Sequence, residues 1–293
     1  VAVEKFDKYW GQKPNFKRIV FKNVPDPNTR LLALQGGEAD MALEPPKSAV
    51  KQFEGNKKYA VNLSPMASTV DLKYNYVKKP MEDVTLRKAV SMSINQKEIL
   101  DTVLEGIGSP ARTMIPPDFM FSAEGQMKGL PYKPEEARKI LEEAGYKDTN
   151  GDGYREKDEK TVNLVLAFYS APGYKEIAET VQAYLKAVGI KSDIVFWDIG
   201  MYWDEFSKGN FDVCVDFSRV YWGGSSVLIH DYFYSKCGLP GVWYHGLSAE
   251  IDKIIEEAME LEAAKKYKEA EEKYIIAQQA GVDEYMISYP ICY

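Results

Sequence analysis

The sequence contains little cysteine and little histidine. Its three cysteines, Cys214, Cys237 and Cys292, include no Cys-x-x-Cys pair. An odd and sparse set is not a disulfide framework, and the missing motif argues against a zinc ribbon or a redox site. The pattern leaves a bridge between Cys237 and Cys292 open. The two histidines, His230 and His245, offer few metal ligands, and a single protein ligand binds a metal ion weakly.

Long apolar runs and basic clusters are missing as well. No stretch approaches the roughly 18 to 20 apolar residues of a membrane span. The charged opening VAVEKFDKYW is not a signal peptide. A mature protein lacks its signal, so this absence does not indicate the cytoplasm. Lys and Arg total 37 against 44 Asp and Glu, a net charge of −7 without a basic block, so nucleic acid is not an expected partner.

The residues that are present indicate an ordinary folded protein. The chain is 45% hydrophobic and 28% charged, the balance of soluble globular domains. Its length suits two domains or one large domain with an appendage. Strand-like and helix-like segments alternate, which predicts an α/β fold. The predicted strands are 17–24, 39–43, 59–63, 69–76, 161–169, 190–197, 211–217 and 285–291, and the main predicted helices are 26–36, 83–104, 134–145, 174–188 and 248–280.

Four stretches, in this order, resemble one protein family. The first is YWGQKPNFKRIVFKNVPDPNTRLLALQGGEADMAL, where the resemblance rests on Tyr9, Trp10, Arg30, Gly37, Glu38 and Asp40. The second is YNYVKKPMEDVTLRKAVSMSIN, where it rests on Asn75, Pro80, Asp83, Arg87 and Ala89. The third is YKPEEARKILEEAGYKDTNGDGYREKD, and the fourth is the pair AYLKAVGIKSDI and FSKGNFDVCV. In their order and spacing they are similar to the peptide- and nickel-binding solute receptors of ABC importers, the extracellular solute-binding proteins of family 5.

The resemblance implies a fold and a division into lobes. The fold is α/β and periplasmic-binding-protein-like (type II, cluster C), with two lobes that clamp the cargo between them. Family members are longer, so the resemblance implies that this chain lacks an N-terminal portion and forms mainly the second lobe. Residues 1–77 are expected to belong to lobe I, 78–280 to form lobe II, and 281–293 to return to lobe I as a strand. The candidate hinge lies at the crossings near 74–80 and 280–285.

The resemblance also implies a function. The chain is expected to belong to the solute-binding component of an ABC importer, which captures a peptide or similar small polar cargo and delivers it to a membrane permease. A receptor for nickel or another metal chelate is the alternative within the family. No catalysis and no cofactor are expected. The implied location is the periplasm or the cell exterior, with a lipid anchor outside this chain as an option, and the full-length protein is expected to be a monomer.

The cargo site is expected directly after the strand 211–217, because ligands gather beyond the carboxyl ends of strands in α/β sheets. Arg219 offers a fork for a carboxylate, and Tyr221 and Trp222 supply rigid apolar contact. In the family, a Trp in this place faces the cargo. The alternative is that the two aromatic rings pack inside the lobe. The complete predicted site comprises Arg219, Tyr221, Trp222, Ser225, Ser226 and His230.

The sequence does not choose between the two cargoes. Peptide-binding members of the family carry an Asp shortly after the Trp, where this chain has Gly224, Ser225 and Ser226. Trp222 with the glycine after it, together with His230, loosely resembles the nickel-binding branch.

Residues 148–159, DTNGDGYREKDE, match the pattern of a calcium-binding loop. Its oxygen ligands would be Asp148, Asn150, Asp152 and Glu159. A strand is predicted after the loop where an EF-hand has a helix, so half of the expected context is missing. The favoured interpretation is a polar turn in which aspartates cap the backbone, and no metal site is predicted.

An α/β hydrolase or transferase is the alternative from another class of protein. Two serines at 225–226, His230 and Asp231 are close in sequence, as a Ser-His-acid triad requires in space. Cys237 and His245 are a second pairing of nucleophile and base. The nucleophile elbow G-x-S-x-G does not occur in the sequence. The chain is therefore predicted not to be an enzyme.

Overall fold

Two units, Val1–Leu63 and Ser64–Tyr293, divide the chain in the computed structural model. The structure describes residues 1–64, 66–220, 224–237 and 246–293. The predicted site residues Tyr221 and Trp222 lie outside these ranges, as does His245. None of the described helices is both long enough and apolar enough to cross a membrane.

Unit 1, Val1–Leu63, contains two short strands and two helices. β1 (Ala2–Glu4) and β2 (Arg18–Val20) pair antiparallel, and α1 (Pro27–Gln35) and α2 (Lys47–Phe53) follow. The Asp26 side chain accepts a hydrogen bond from Thr29 N and so caps α1. The strands predicted at 39–43 and 59–63 are wrong, since both segments are irregular and largely exposed. A short apolar run becomes a strand only where a neighbouring strand can accept its backbone hydrogen bonds.

Unit 2, Ser64–Tyr293, is built around one five-stranded sheet. Its strands are β3 (Ser68–Tyr74), β6 (Asn163–Tyr169), β7 (Lys191–Trp197), β8 (Val213–Arg219) and β9 (Ser288–Cys292), while β4 (Glu156–Lys157) and β5 (Lys160–Thr161) form a separate hairpin. The order in the sheet is β7-β6-β8-β3-β9. β6 runs parallel to β7 and β8, and β3 runs antiparallel to β8 and β9.

Helices cover this sheet and form a second packed layer. They are α3 (Val84–Met92), α4 (Gln96–Glu98), α5 (Pro134–Glu143), α6 (Tyr174–Ala187), α7 (Ile199–Ser207), α8 (Ser225–Phe233), α9 (Ala249–Ala263) and α10 (Tyr267–Gln278). One apolar core lies around the sheet with α3, α5 and α6. A second core joins α8, α9 and α10 to the segment 114–127.

Two predicted helices are shorter than expected. The helix predicted at 83–104 ends at Met92, and the Asn95 side chain caps a new turn by accepting from Glu98 N. The helix predicted at 248–280 is two helices, because Lys265 has a φ of +60° between them. A left-handed residue cannot continue a right-handed helix.

The boundary between the two units lies between Leu63 and Ser64. β3 belongs to unit 2, because it hydrogen-bonds to β8 on one side and β9 on the other. The assignment of 1–77, 78–280 and 281–293 to two lobes stays a prediction. None of Cys214, Cys237 and Cys292 is in a disulfide bond, so the bridge left open between the last two is not formed.

Candidate functional site

Three parallel strands bring their carboxyl ends to the same end of the sheet. β6 ends at Tyr169, β7 at Trp197 and β8 at Arg219, and each strand is followed by a helix. Ligands of α/β proteins bind at this end, beyond the carboxyl ends of the strands. Tyr169 contacts the Phe217 ring at a centroid distance of 6.2 Å, so aromatic side chains line this end of the sheet.

Arg219 is the last residue of the central strand β8 and is half-buried. It pairs in register with Ser68 of β3. Its guanidinium carbon lies 4.8 Å from the centroid of the Phe217 ring, a cation–π contact that fixes the direction of the side chain. The sequence prediction therefore located this residue correctly at the carboxyl end of its strand.

The chain re-enters the described region at Gly224, directly before α8. Gly224 has a φ of +84°, a conformation that favours glycine. Ser225 and Ser226 form the first turn of α8, and both are buried. These residues follow β8 as predicted, but their side chains lie within the helical layer of unit 2.

Ser226 and His230 belong to one hydrogen-bond network between α8, α9 and α10. Ser226 Oγ donates to Glu262 Oε1 at 3.1 Å. The Tyr274 hydroxyl donates to the other oxygen of Glu262 at 2.8 Å. His230 Nε2 lies 3.2 Å from the same hydroxyl. Burial lowers the pKa of His230 although Glu262 opposes this, so the ring is held neutral inside the layer.

Glu262 and Tyr274 are members of this network that the sequence analysis missed. They lie 36 and 44 residues from their partners Ser226 and His230. No local pattern marks such pairs, because the packing of three helices creates them. Ser226 and His230 each meet a partner other than the other, so this arrangement differs from that of a nucleophile and its base.

The loop predicted as a possible calcium site is a turn that caps its own backbone. Asp148 accepts from Gly151 N at 2.7 Å and from Gly153 N at 2.9 Å. Asn150 and Asp152 each accept from the backbone N–H two residues later. These are the bonds that the favoured interpretation of a polar turn predicts.

The acidic residues near this loop are grouped differently from the calcium-loop pattern. Carboxylate oxygens of Asp148, Asp152 and Glu156 lie within 4.8 Å of one another. Glu156 Oε2 accepts from both the backbone N and the hydroxyl of Thr149 at 2.7 Å. Glu159 is an exposed residue at the turn of the β4–β5 hairpin, with a φ of +64°. The group thus contains Glu156, and Glu159 is not part of it.

A cavity of about 350 Å³ lies beside the edge strand β9, at the other edge of the sheet from β7. It borders Pro290 of the edge strand β9, which lies two strands away from β8. Arg112 and Lys128 contribute positive charge to its lining. The Asp283 carboxylate, which also lines it, accepts from the backbone N–H groups of Lys128 and Gly129 at 3.0 and 3.2 Å. The Asp283 carboxylate therefore stabilises the backbone at 128–129, which lines the cavity.

Comparison with known proteins decides the family. Residues 1–241 match the model of the bacterial extracellular solute-binding proteins, family 5 Middle. The chain belongs to this family. The resemblance drawn from the four sequence stretches is thereby confirmed, and so is the predicted periplasmic-binding-protein-like α/β fold.

Two curated family 5 relatives illustrate the range of the similarity. The nickel-binding periplasmic protein of Escherichia coli K12 is 30% identical over 194 residues, which cover 64% of this chain and 37% of the relative. The oligopeptide-binding protein AppA of Bacillus subtilis 168 is 30% identical over 287 residues, which cover 94% of this chain and 51% of the relative. The chain thus spans about half or less of the length of these relatives.

Solved structures of the family match nearly the whole chain. AppA of Bacillus subtilis, solved with a nonapeptide, covers 100% of this chain with a TM-score of 0.77 and 26% identity, over 57% of its own length. NikA of Brucella suis, solved with Fe(III)-EDTA, covers 99% with a TM-score of 0.85 and 24% identity, over 59% of its own length. At that identity the NikA likeness shows the fold alone.

Proposed function

We propose that this chain is part of the solute-binding component of an ABC importer. The component captures a peptide or a similar small polar cargo and delivers it to a membrane permease. The observation that carries the proposal is the family match, which spans residues 1–241 and includes β8 with Arg219 at its carboxyl end. The likeness to the oligopeptide-binding protein AppA over 94% of the chain favours a peptide as the cargo.

Arg219, Tyr221 and Trp222 are the residues proposed to contact the cargo. Arg219 follows the central strand and is held by the Phe217 ring, so its guanidinium needs little ordering to meet a carboxylate. Tyr221 and Trp222 continue this segment along the chain. Ser225, Ser226 and His230 are the other residues of the proposed cargo site, and Ser226 and His230 are positioned by their bonds to Glu262 and Tyr274.

A nickel or metal-chelate receptor is the second candidate. It is favoured by the 30% identity to the nickel-binding periplasmic protein of Escherichia coli. The surroundings of His230 weigh against it as the ligand, because the ring is more than half buried and faces the Tyr274 hydroxyl. We therefore rank peptide above metal chelate.

The chain is also proposed to catalyse no reaction. The curated relatives above are binding proteins by name. The candidate nucleophile Ser226 donates to a carboxylate of α9, and this bond occupies its proton. The complete protein is proposed to act in the periplasm or outside the cell as a monomer that meets a permease, with a lipid anchor as one means of attachment.

Truncating Trp222 tests the proposal in the full-length protein. Trp222→Ala should weaken peptide binding by at least about 1 kcal/mol, the usual cost of losing an aromatic anchor. Titration calorimetry with short peptides measures the change. The matched control is Trp203→Ala, because Trp203 is 60% exposed on α7. Equal affinities of the wild-type protein and the Trp222 variant would remove this residue from the cargo site.

A further inference from the structure

Polar side chains lie buried on one face of three neighbouring strands of unit 2. β3 contributes Asp71 and Lys73, β8 contributes Asp216 and Ser218, and β9 contributes Ser288. They share a face because Asp71 pairs in register with Asp216, and Lys73 with Ser288. Asp71 and Lys73 are 0% exposed, and Asp216 is 2% exposed. Burying three ionisable groups together is costly unless their charges and hydrogen bonds are balanced.

One carboxylate oxygen of Asp71 accepts three hydrogen bonds. Asp71 Oδ2 accepts from Lys73 Nζ and from Ser218 Oγ, each at 2.6 Å. It also accepts from Ser288 Oγ at 3.0 Å. Lys73 donates in addition to Ser218 Oγ at 2.5 Å and lies 4.0 Å from the centroid of the Tyr232 ring. The charge of Asp71 is therefore balanced by Lys73.

Asp216 is a second carboxyl group on the same face, and no ion pair joins it to a cation among the described residues. It lies directly opposite Asp71 across the β3–β8 pairing. Among the described residues, neither Oδ1 of Asp71 nor Oδ1 of Asp216 has a hydrogen-bond partner. Side chains paired on one face of an antiparallel sheet have Cβ atoms about 4.5 to 5.5 Å apart. Two buried carboxyl groups, each with one unpartnered oxygen, thus lie opposite each other on one face of the sheet.

Burial and the carboxylate of Asp71 favour the neutral form of Asp216. Burial raises the pKa of Asp216 to about 7, with Lys73 lowering it and Asp71 raising it. The Tyr202 hydroxyl also bonds to this carboxyl group and lowers its pKa. Within the described ranges, further ionisable groups that face the cluster are Cys214 of β8, Tyr169 of β6, Tyr174 of α6 and Tyr232 of α8. Burial raises the pKa of Cys214, Tyr169 and Tyr174, so these three are neutral as well.

We propose that Asp216 is a proton-binding site and that, when protonated, it donates a hydrogen bond to Asp71 Oδ1. One proton then satisfies both unpartnered oxygens and leaves one carboxylate, Asp71, to balance one ammonium group, Lys73. Loss of the proton leaves two carboxylates, Asp71 and Asp216, beside the one ammonium group of Lys73. Like charges directly opposite each other on neighbouring strands are destabilising. The pairing of β3 with β8, which ends at Arg219, therefore responds to pH.

The sign of the response follows from proton linkage. The ordinary pKa of an aspartate is 3.8, and that of folded Asp216 is about 7. The folded chain binds the proton more tightly than the unfolded chain, so stability falls as the pH rises between these two values and is lower above pH 7. Asp216→Asn keeps the shape and removes the titration. Its stability relative to wild type should therefore rise with pH.

Denaturant unfolding of the 293-residue chain at about pH 5 and about pH 8 tests this. Between these pH values, the ratio of the unfolding constants of wild type and Asp216→Asn should rise at least about tenfold. The control is Asp193→Asn on β7, because Asp193 is exposed; its ratio should stay constant. A ratio for Asp216→Asn that does not change with pH would overturn the proposal.

Infrared spectroscopy gives a measurement that does not depend on the stability of a variant. Wild type at about pH 6 should show the carbonyl band of a buried protonated carboxyl group, which disappears as the pH rises past about 7.5. The band should be absent in Asp216→Asn and present in Asp193→Asn. Its absence from wild type at about pH 6, or its survival in Asp216→Asn, would assign the proton elsewhere and contradict the proposal.

Discussion

Several residues that carry the family resemblance donate side-chain hydrogen bonds to backbone carbonyl groups. Arg30 donates from its guanidinium group to the carbonyl oxygens of Val24, Pro25 and Glu44. Buried Asn75 donates to carbonyl oxygens in the turn that precedes β8. Such bonds satisfy carbonyl groups in irregular segments where no strand or helix would do so. This gives the motif residues a structural role that does not depend on the cargo.

Arg87 provides the sharpest test of that role. It is 4% exposed, and its guanidinium group donates to the carbonyl oxygen of Met81 and, through two nitrogens, to that of Tyr285. Arg87→Lys keeps the charge but loses the planar fork, so the free energy of unfolding should fall by about 1 to 3 kcal/mol. Urea unfolding measures it. The reverse swap at the exposed neighbour, Lys88→Arg, should change the free energy of unfolding little. Equal effects at the two positions would show that the hydrogen bonds of the Arg87 guanidinium group do not stabilise the fold.

At the residue scale, the sequence predicted where a residue lies in its strand or helix better than which side chains it contacts. Arg219 lies at the carboxyl end of its strand as expected, because the alternation and β-branched content of 211–217 mark that strand. The bonds of Ser226 and His230 to α9 and α10 were out of reach, since they depend on how three distant helices pack. The pairing of Asp71 with Asp216 was hidden for the same reason. It follows from strand register, which the sequence does not determine locally.

At the scale of elements, local signals predicted where helices begin better than where they end. Asp83 caps α3 as predicted by accepting from Thr85 N at 2.8 Å. The break between α9 and α10 was missed, because Lys265 adopts a φ of +60° at a position without the glycine that usually signals such a break. The sheet order was beyond prediction from the residues alone, since β3 and β9 are far apart in sequence and adjacent in space.

Removing the cap at Asp83 should destabilise unit 2 in a pH-dependent way. Burial raises the pKa of Asp83, but hydrogen bonds from Tyr146 and Thr85 outweigh it and bring the pKa below 3.8. The carboxylate therefore contributes stability above its unfolded pKa and loses it as the pH falls through the folded pKa. Asp83→Ala should lower the free energy of unfolding by about 1 to 2 kcal/mol near neutral pH.

Urea unfolding at about pH 7 and about pH 3 measures this effect. Glu82→Ala is the control, because its ion pair with Lys79 has a distance of 3.5 Å and is exposed to solvent. The Asp83 variant should differ from wild type at the higher pH and less so at the lower. A difference that is the same at both pH values would show that the ionised carboxylate does not stabilise α3.

At the scale of the whole molecule, the chain is about half or less of a typical relative. It spans 37% of the Escherichia coli nickel-binding protein and 51% of AppA. The two-lobe α/β fold was predicted from the family resemblance and not from local sequence patterns. Similarity to a known fold indicates contacts between distant residues, which local patterns do not. The family resemblance implies that two lobes clamp the cargo, and a chain that spans about half of AppA would then offer only part of the clamp. They should bind a peptide more weakly than the full-length protein does.

Native mass spectrometry of the full-length protein shows whether it binds a peptide, binds a metal chelate or cleaves peptides. The protein is incubated with a mixture of short peptides and with a nickel–histidine chelate, and the masses of both protein and peptides are recorded. We expect a one-to-one complex with an intact peptide, and a weaker complex or none for the 293-residue chain. Peptides that are cleaved, or a protein that retains neither peptide nor chelate, would contradict the proposed function.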